Sequence, residues 1–149
     1  MKIIDYYTIQ NKEYWLEQIA KSDWGAGQYL VSLIKEEKLK ELCGRSTQVL
    51  LLTEQDKLLA FCTLAEKDDI PNTELTPWVG FVYTFPRYRN RGYMGLLLDY
   101  AQQQAVAQGS GALYISTNHV GLYEKYGYSF LCELPDMGGE TSRVYAKEF

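Results

Sequence analysis

The chain's 149 residues, 46% of them hydrophobic and 23% charged, have the size and balance of one globular domain spanning 1–149 around a single core. A formal charge of −4 and a pI of about 5.0 give no long-range attraction for nucleic acid or an anionic membrane and favour a cationic substrate. Cys43, Cys62 and Cys132 are odd in number, far apart and outside any C-x-x-C pairing, which argues against a disulfide framework or a cysteine metal site. The opening stretch MKIIDYYTIQNKEYW lacks a long apolar run and a small-residue cleavage site, and no segment approaches the roughly 20 apolar residues that span a bilayer. The expected location is the cytoplasm. Thirteen tyrosines favour buried strands or a stacking pocket with polar tips.

In chain order, KIIDYYT (Lys2 to Thr8) predicts a strand, and NKEYWLEQIAKS a helix with Asn11 as N-cap and Trp15 and Ile19 on one face. A second helix follows in GAGQYLVSLIKEEKLKELCG, broken near Glu37 and stopped by Gly44. Two apolar runs around Glu54-Gln55-Asp56-Lys57 predict an antiparallel hairpin, and the proline-containing, acidic KDDIPNTELTP a loop. WVGFVYTF (Trp78 to Phe85) is a near-continuous apolar run, the pattern of a strand buried on both faces. Met94, Leu97, Leu98, Ala101 and Ala105 then repeat at helical intervals up to Gly109, and ALYIS predicts another strand. The unit from Trp78 to Ser116 is therefore a crossover between locally parallel strands. VGLYEKY predicts a short helix stopped by Gly127, followed by strands YSFLCEL and SRVYAKE about the turn PDMGGE. This order predicts a mixed sheet with helices on its faces.

Between the apolar strand and the next helix lies RYRNRGYMG, Arg87 to Gly95. Unpaired N–H groups and the positive end of the helix dipole point the same way at such a junction, which makes it an anion site. Gly92 and Gly95 remove Cβ atoms where phosphates approach the main chain, and Arg89 and Arg91 add forked donors, so a pyrophosphate fits; a solvated basic turn is the plainer alternative. Neither G-x-x-x-x-G-K-[ST] nor G-x-G-x-x-G occurs, so an ATP-hydrolysing P-loop and a dinucleotide fold are disfavoured, as is a phosphate-dependent hydrolase or kinase.

PRYRNRGYMGLLL resembles the coenzyme A loop of the GNAT superfamily of acyl-CoA-dependent N-acetyltransferases, whose pattern is R/Q-x-x-G-x-G/A. Arg89 takes the R/Q position and Gly92 the first glycine; Met94 stands where the family usually has Gly or Ala, with Gly95 one place later. STNHVGLYEKYGY is similar to the family's other signature, through Asn118, Tyr123, Gly127 and Tyr128. The resemblance implies a mixed α/β fold: a mostly antiparallel seven-stranded sheet, helices on both faces, and a splayed central pair of parallel strands. It also implies acetyl-CoA as cosubstrate with no metal, the acetyl group passing by direct attack to a primary amine of a small molecule or peptide. A homodimer is one compatible assembly, and a non-catalytic acyl-CoA-binding module is the competing function.

By the same resemblance the pantetheine arm lies along Phe81 to Phe85, with Val82, Tyr83 and Thr84 as its contacts. The nucleotide meets Arg89, Asn90, Arg91, Gly92, Tyr93, Met94 and Gly95, and Asn118 orients the region. Tyr123 is the candidate acid, since a phenol of pKa about 10 stays protonated and can donate to a thiolate; a core tyrosine on an amphipathic turn is the alternative. Glu74, Glu66 and His119 remain open as the base. Asp68, Asp69 and Glu74 cluster where they could attract a cationic amine, a solvated acidic loop being the plainer alternative. The resemblance implies that Trp24, with Glu66, shapes the acceptor pocket, and helix packing explains Trp24 equally well.

Overall fold

A computed structural model describes residues 1–149. One seven-stranded sheet runs through the molecule in the order β1-β2-β3-β4-β5-β7-β6. Its strands are β1 (Lys2–Asp5), β2 (Gln48–Glu54), β3 (Lys57–Ala65), β4 (Trp78–Thr84), β5 (Ala112–Thr117), β6 (Ser129–Pro135) and β7 (Thr141–Glu148). Every neighbouring pair is antiparallel except β4 and β5. Helices α1 (Lys12–Ala20), α2 (Gly25–Lys35), α3 (Leu39–Cys43) and α4 (Tyr93–Ala107) complete the fold, with short 3-10 turns, one of them Tyr123–Tyr126.

The run QVLLL explains the two layers. Alternate residues of a strand point to opposite faces, so a strand covered on both sides is apolar at every position. Leu50 and Leu52 pack into a core with Leu97, Leu98, Ala101 and Ala105 of α4. Val49 and Leu51 pack on the other side, with Trp15, Ile19, Leu30 and Ile34 of α1 and α2. The predicted break in the second helix falls at Glu37, whose φ of 57° is left-handed, and separates α2 from α3. Asn11 precedes α1 as predicted, but its side chain makes no capping hydrogen bond.

β4 departs from the reading of a strand buried on both faces. Trp78, Val79 and Tyr83 are buried, whereas Phe81, Val82 and Thr84 are only partly so. The cause is a bulge: β3 advances from Phe61 to Thr63 while β4 advances from Tyr83 back to Gly80, leaving one extra residue in β4, with Phe81 at a φ of 49°. β4 pairs with β5 only at Trp78–Tyr114 and Val79–Ile115. Beyond Val79 the two parallel strands part, and the sheet opens at its centre.

Candidate active site

A cavity of about 520 Å³ lies where β4 leaves β5. Val79, Gly80, Phe81 and Val82 of β4 and Ile115, Ser116 and Thr117 of β5 line it, and Asn118, His119 and Tyr123 continue the β5 side. Helix α2 and the residue before it contribute Trp24, Ala26 and Tyr29; the loop after β3 contributes Asp68 and Asp69; the β6–β7 turn contributes Met137. That turn is tied to the acidic loop, since the Met137 N–H donates to the Asp69 carbonyl at 2.8 Å.

Tyr123 is held on its 3-10 turn by two local devices. The Glu124 carboxylate accepts from the Gly121 N–H at 3.1 Å, and Gly127, with a φ of 92°, ends the turn. The ring is only 6% exposed and meets Tyr128 edge-on with centroids 6.2 Å apart. Its hydroxyl has no protein hydrogen-bond partner, and burial, followed by the nearby Cys62 and Tyr126, raises its pKa further above the ordinary phenol value. Tyr123 is therefore both a core tyrosine and a cavity residue.

Val82, Tyr83 and Thr84 separate. Only Val82 lines the cavity. The bulge and the strand alternation send Tyr83 into the other core, where its hydroxyl donates to the Asp23 carboxylate at 2.6 Å and its ring stacks on Trp24. Thr84 does not line the cavity and presents its carbonyl to Arg89 Nε at 2.9 Å.

The loop ahead of α4 is exposed and shaped by two left-handed residues, Asn90 (φ 64°) and Gly92 (φ 78°). A Cβ at Gly92 would meet nothing within 4 Å, so the backbone there is open to a ligand. The first turn of α4, from Tyr93 and Met94, has no side-chain cap; the first N–H of the turn to find a backbone acceptor is that of Leu96, on the Gly92 carbonyl. Arg87, Arg89 and Arg91 have no carboxylate partner, the chain's one ion pair being Lys38–Glu36. Uncapped amides and guanidinium groups without a carboxylate partner together fit an anion. At Gly95 a Cβ would come within 3.1 Å of the Tyr126 ring, so its smallness also serves packing.

Two expected carboxylates lie outside the cavity. Glu74 is exposed in the loop before β4 and does not line it. Glu66 is turned toward Ser46, whose N–H and hydroxyl donate to it at 3.1 and 3.0 Å, and these hydrogen bonds lower its pKa. His119 is exposed at the cavity edge, its backbone N–H donating to Thr117 Oγ1 at 3.1 Å. Asn118 is likewise exposed at the end of β5.

The carboxylates that do reach the cavity are Asp68 and Asp69. Asp68 lies over Gly80, where a Cβ would collide with its carboxylate. Burial, then repulsion from Asp69, pushes the Asp68 carboxyl up to about 7; Asp69 is also raised, chiefly by burial. Asp69 Oδ1 is buried without a hydrogen-bond partner. Cys43 lines the same wall, and burial, with Asp68 adding to it, pushes its thiol up to about 12. No cluster of His, Cys, Asp and Glu in the chain has the arrangement to hold a metal ion.

The architecture recurs among solved structures. An acetyltransferase from Streptococcus agalactiae, 21% identical, matches over 99% of this chain and 98% of its own with a TM-score of 0.69. The aminoglycoside 6′-N-acetyltransferase from Enterococcus faecium is 16% identical, with a TM-score of 0.70 over 99% and 97% of the two chains. An aminoglycoside 6′-N-acetyltransferase complexed with coenzyme A is 13% identical, with a TM-score of 0.68 over 99% and 97%. At these identities the likeness is one of fold. No curated protein matches the sequence. A model of the acetyltransferase (GNAT) family matches residues 11–128. Because that match takes in both the arginine-glycine loop and the Tyr123 turn, the chain belongs to the acetyltransferase (GNAT) family.

Proposed function

We propose that residues 1–149 act as one catalytic unit, an acetyl-CoA-dependent N-acetyltransferase that passes the acetyl group directly to a primary amine. The observation that carries this reading is that Tyr123 and the Asp68–Asp69 pair line one cavity, at the point where β4 parts from β5. Acetyl-CoA supplies the acetyl group as an activated thioester. The uncapped start of α4, with Arg89, Asn90, Arg91 and Gly92, suits its pyrophosphate, and the neighbour crystallised with coenzyme A supports this assignment. The β4 main chain beyond Val79, unpaired with β5, suits the extended pantetheine arm.

Asp68 accepts at its carboxylate the proton that an ammonium must lose before nitrogen can attack, and its raised pKa matches a base working near neutrality. Tyr123 keeps its phenolic proton throughout the working range and gives it to the departing sulfur. Cys43 stays a thiol at neutral pH, which disfavours a route through an acyl-cysteine and supports direct transfer. Asn118 and His119 sit at the rim, suited to orienting ligands rather than to the proton transfers. Three free cysteines suit a reducing cytoplasm, and no helix is long and apolar enough to cross a membrane.

The deciding experiment follows thiol release from acetyl-CoA across a panel of amines. Amine-dependent release with a matching acetylated product supports the enzyme. Coenzyme A binding with no release for any amine favours the non-catalytic module.

A further inference from the structure

We infer that the acceptor is a singly charged primary amine on an aromatic or aliphatic body, its ammonium seated on the Asp68–Asp69 pair and its body held by Trp24, Tyr29, Phe81 and Met137. This deepens the proposed function by naming the substrate class of the same cavity.

Charge is the first ground. Asp68 and Asp69 are the only carboxylates lining the cavity, they are adjacent in sequence, and neither pairs with a Lys or Arg of the chain. Asp69 Oδ1 is buried without a hydrogen-bond partner. A carboxylate so placed is stabilised by a cation that enters with hydrogen-bond donors. One ammonium meets that need. A second, fixed elsewhere on a rigid scaffold, would be stripped of water with no counter-charge.

The walls are the second ground. Eleven of the eighteen lining residues are hydrophobic. Tyr29 and Phe81 stand with ring centroids 6.4 Å apart, Trp24 is braced flat against Tyr83, and Tyr29 and Met137 are 51% and 54% exposed. Large apolar side chains left this open around a concave site gain by covering an apolar ligand, at about 25 cal/mol per Å² buried. The volume of about 520 Å³, shared with the acyl end of the cosubstrate, fits a small molecule. On this proposal the acceptor differs in class from the aminoglycosides named for two of the fold neighbours.

The test measures equilibrium binding by tryptophan fluorescence and calorimetry, using phenethylamine, phenethyl alcohol, spermidine and kanamycin on the full chain. Phenethylamine should bind at least about tenfold tighter than each of the other three. Asp68→Asn should remove its advantage over the alcohol, and Trp24→Ala should weaken both aromatic ligands together. Spermidine or kanamycin binding as tightly as phenethylamine would overturn the proposal, as would an Asp68→Asn protein that binds phenethylamine unchanged. Thiol release is read separately. Tight phenethylamine binding without turnover supports the cavity's selectivity for such amines as ligands and counts against acetyl transfer, whereas turnover confined to polyamines overturns that selectivity and leaves acetyl transfer standing.

Discussion

The Tyr83 hydroxyl donates to the Asp23 carboxylate at 2.6 Å, joining the central strand β4 to the residue that precedes Trp24. The same ring stacks on Trp24, with centroids 5.4 Å apart and planes 11° from parallel, and lies 5.5 Å from the Arg89 guanidinium carbon. One buried tyrosine thus braces Trp24 in the cavity wall on one side and the arginine-glycine loop on the other. Tyr83→Phe keeps the stack and loses the bond; with Asp23 exposed, that bond is worth about 1 kcal/mol. The amine KM should rise by about fivefold while coenzyme A affinity, measured calorimetrically, stays within about twofold. A change confined to coenzyme A would show that the brace serves the loop alone.

Tyr123 and Tyr128 are a natural pair for comparison, since both rings are buried and they touch edge-on. Tyr123→Phe should lower kcat by about 100-fold with little change in coenzyme A affinity or Tm, because the lost hydroxyl has no protein partner. The Tyr128 hydroxyl is buried and unsatisfied, so Tyr128→Phe should leave kcat intact and stabilise by about 1 kcal/mol in thermal unfolding. Equal loss of turnover in both variants would make Tyr123 a packing residue only.

Features encoded within one element were legible in the sequence. The apolar QVLLL run, the break at Glu37 and the arginine-glycine loop each rest on local spacing, and each stands where expected. Features that depend on distant parts of the chain were not. Glu74 and Asp68 share one acidic loop, yet only Asp68 enters the cavity, because Gly80 on another strand leaves room for its carboxylate. Simple alternation could not say which of Val82, Tyr83 and Thr84 faces the opening, since one extra residue in β4 resets the phase. The residues around Gly95 in sequence do not reveal that the Tyr126 ring packs on it.

The loop makes its own prediction through charge and backbone. Arg89→Ala removes a guanidinium that has no carboxylate partner, so coenzyme A should bind about tenfold more weakly, with a shallower salt dependence than the wild-type chain. Gly92→Ala adds a Cβ with free space around it but at a φ of 78°, costing about 1 kcal/mol of backbone strain. Its coenzyme A affinity should fall with the loop's loss of shape. Unchanged affinity in both variants, measured by titration calorimetry, would move the pyrophosphate away from α4.

The Asp68 carboxyl, pushed to about 7 by burial and by Asp69, makes both activity and stability depend on pH. Around it stand Asp69, itself faced by Asp136, and the Cys43 thiol, which is neutral across this range. A base must be ionised to accept a proton, so kcat/KM should climb as pH rises through about 7, and Tyr123, titrating far higher, adds no falling limb below pH 9. Stability runs the other way. Between the ordinary value of 3.8 and about 7 the folded chain holds a proton that the unfolded chain releases, so stability from this group declines as pH rises and stays low above about 7. Asp68→Asn carries no charge at any pH. Its Tm should therefore match the wild-type chain near pH 4 and exceed it at pH 8, while the rising limb of kcat/KM disappears. A variant that unfolds earlier than the wild-type chain at pH 8 would mean that the ionised carboxylate is paired in the folded state, and Asp68 would then be a structural anchor rather than the base.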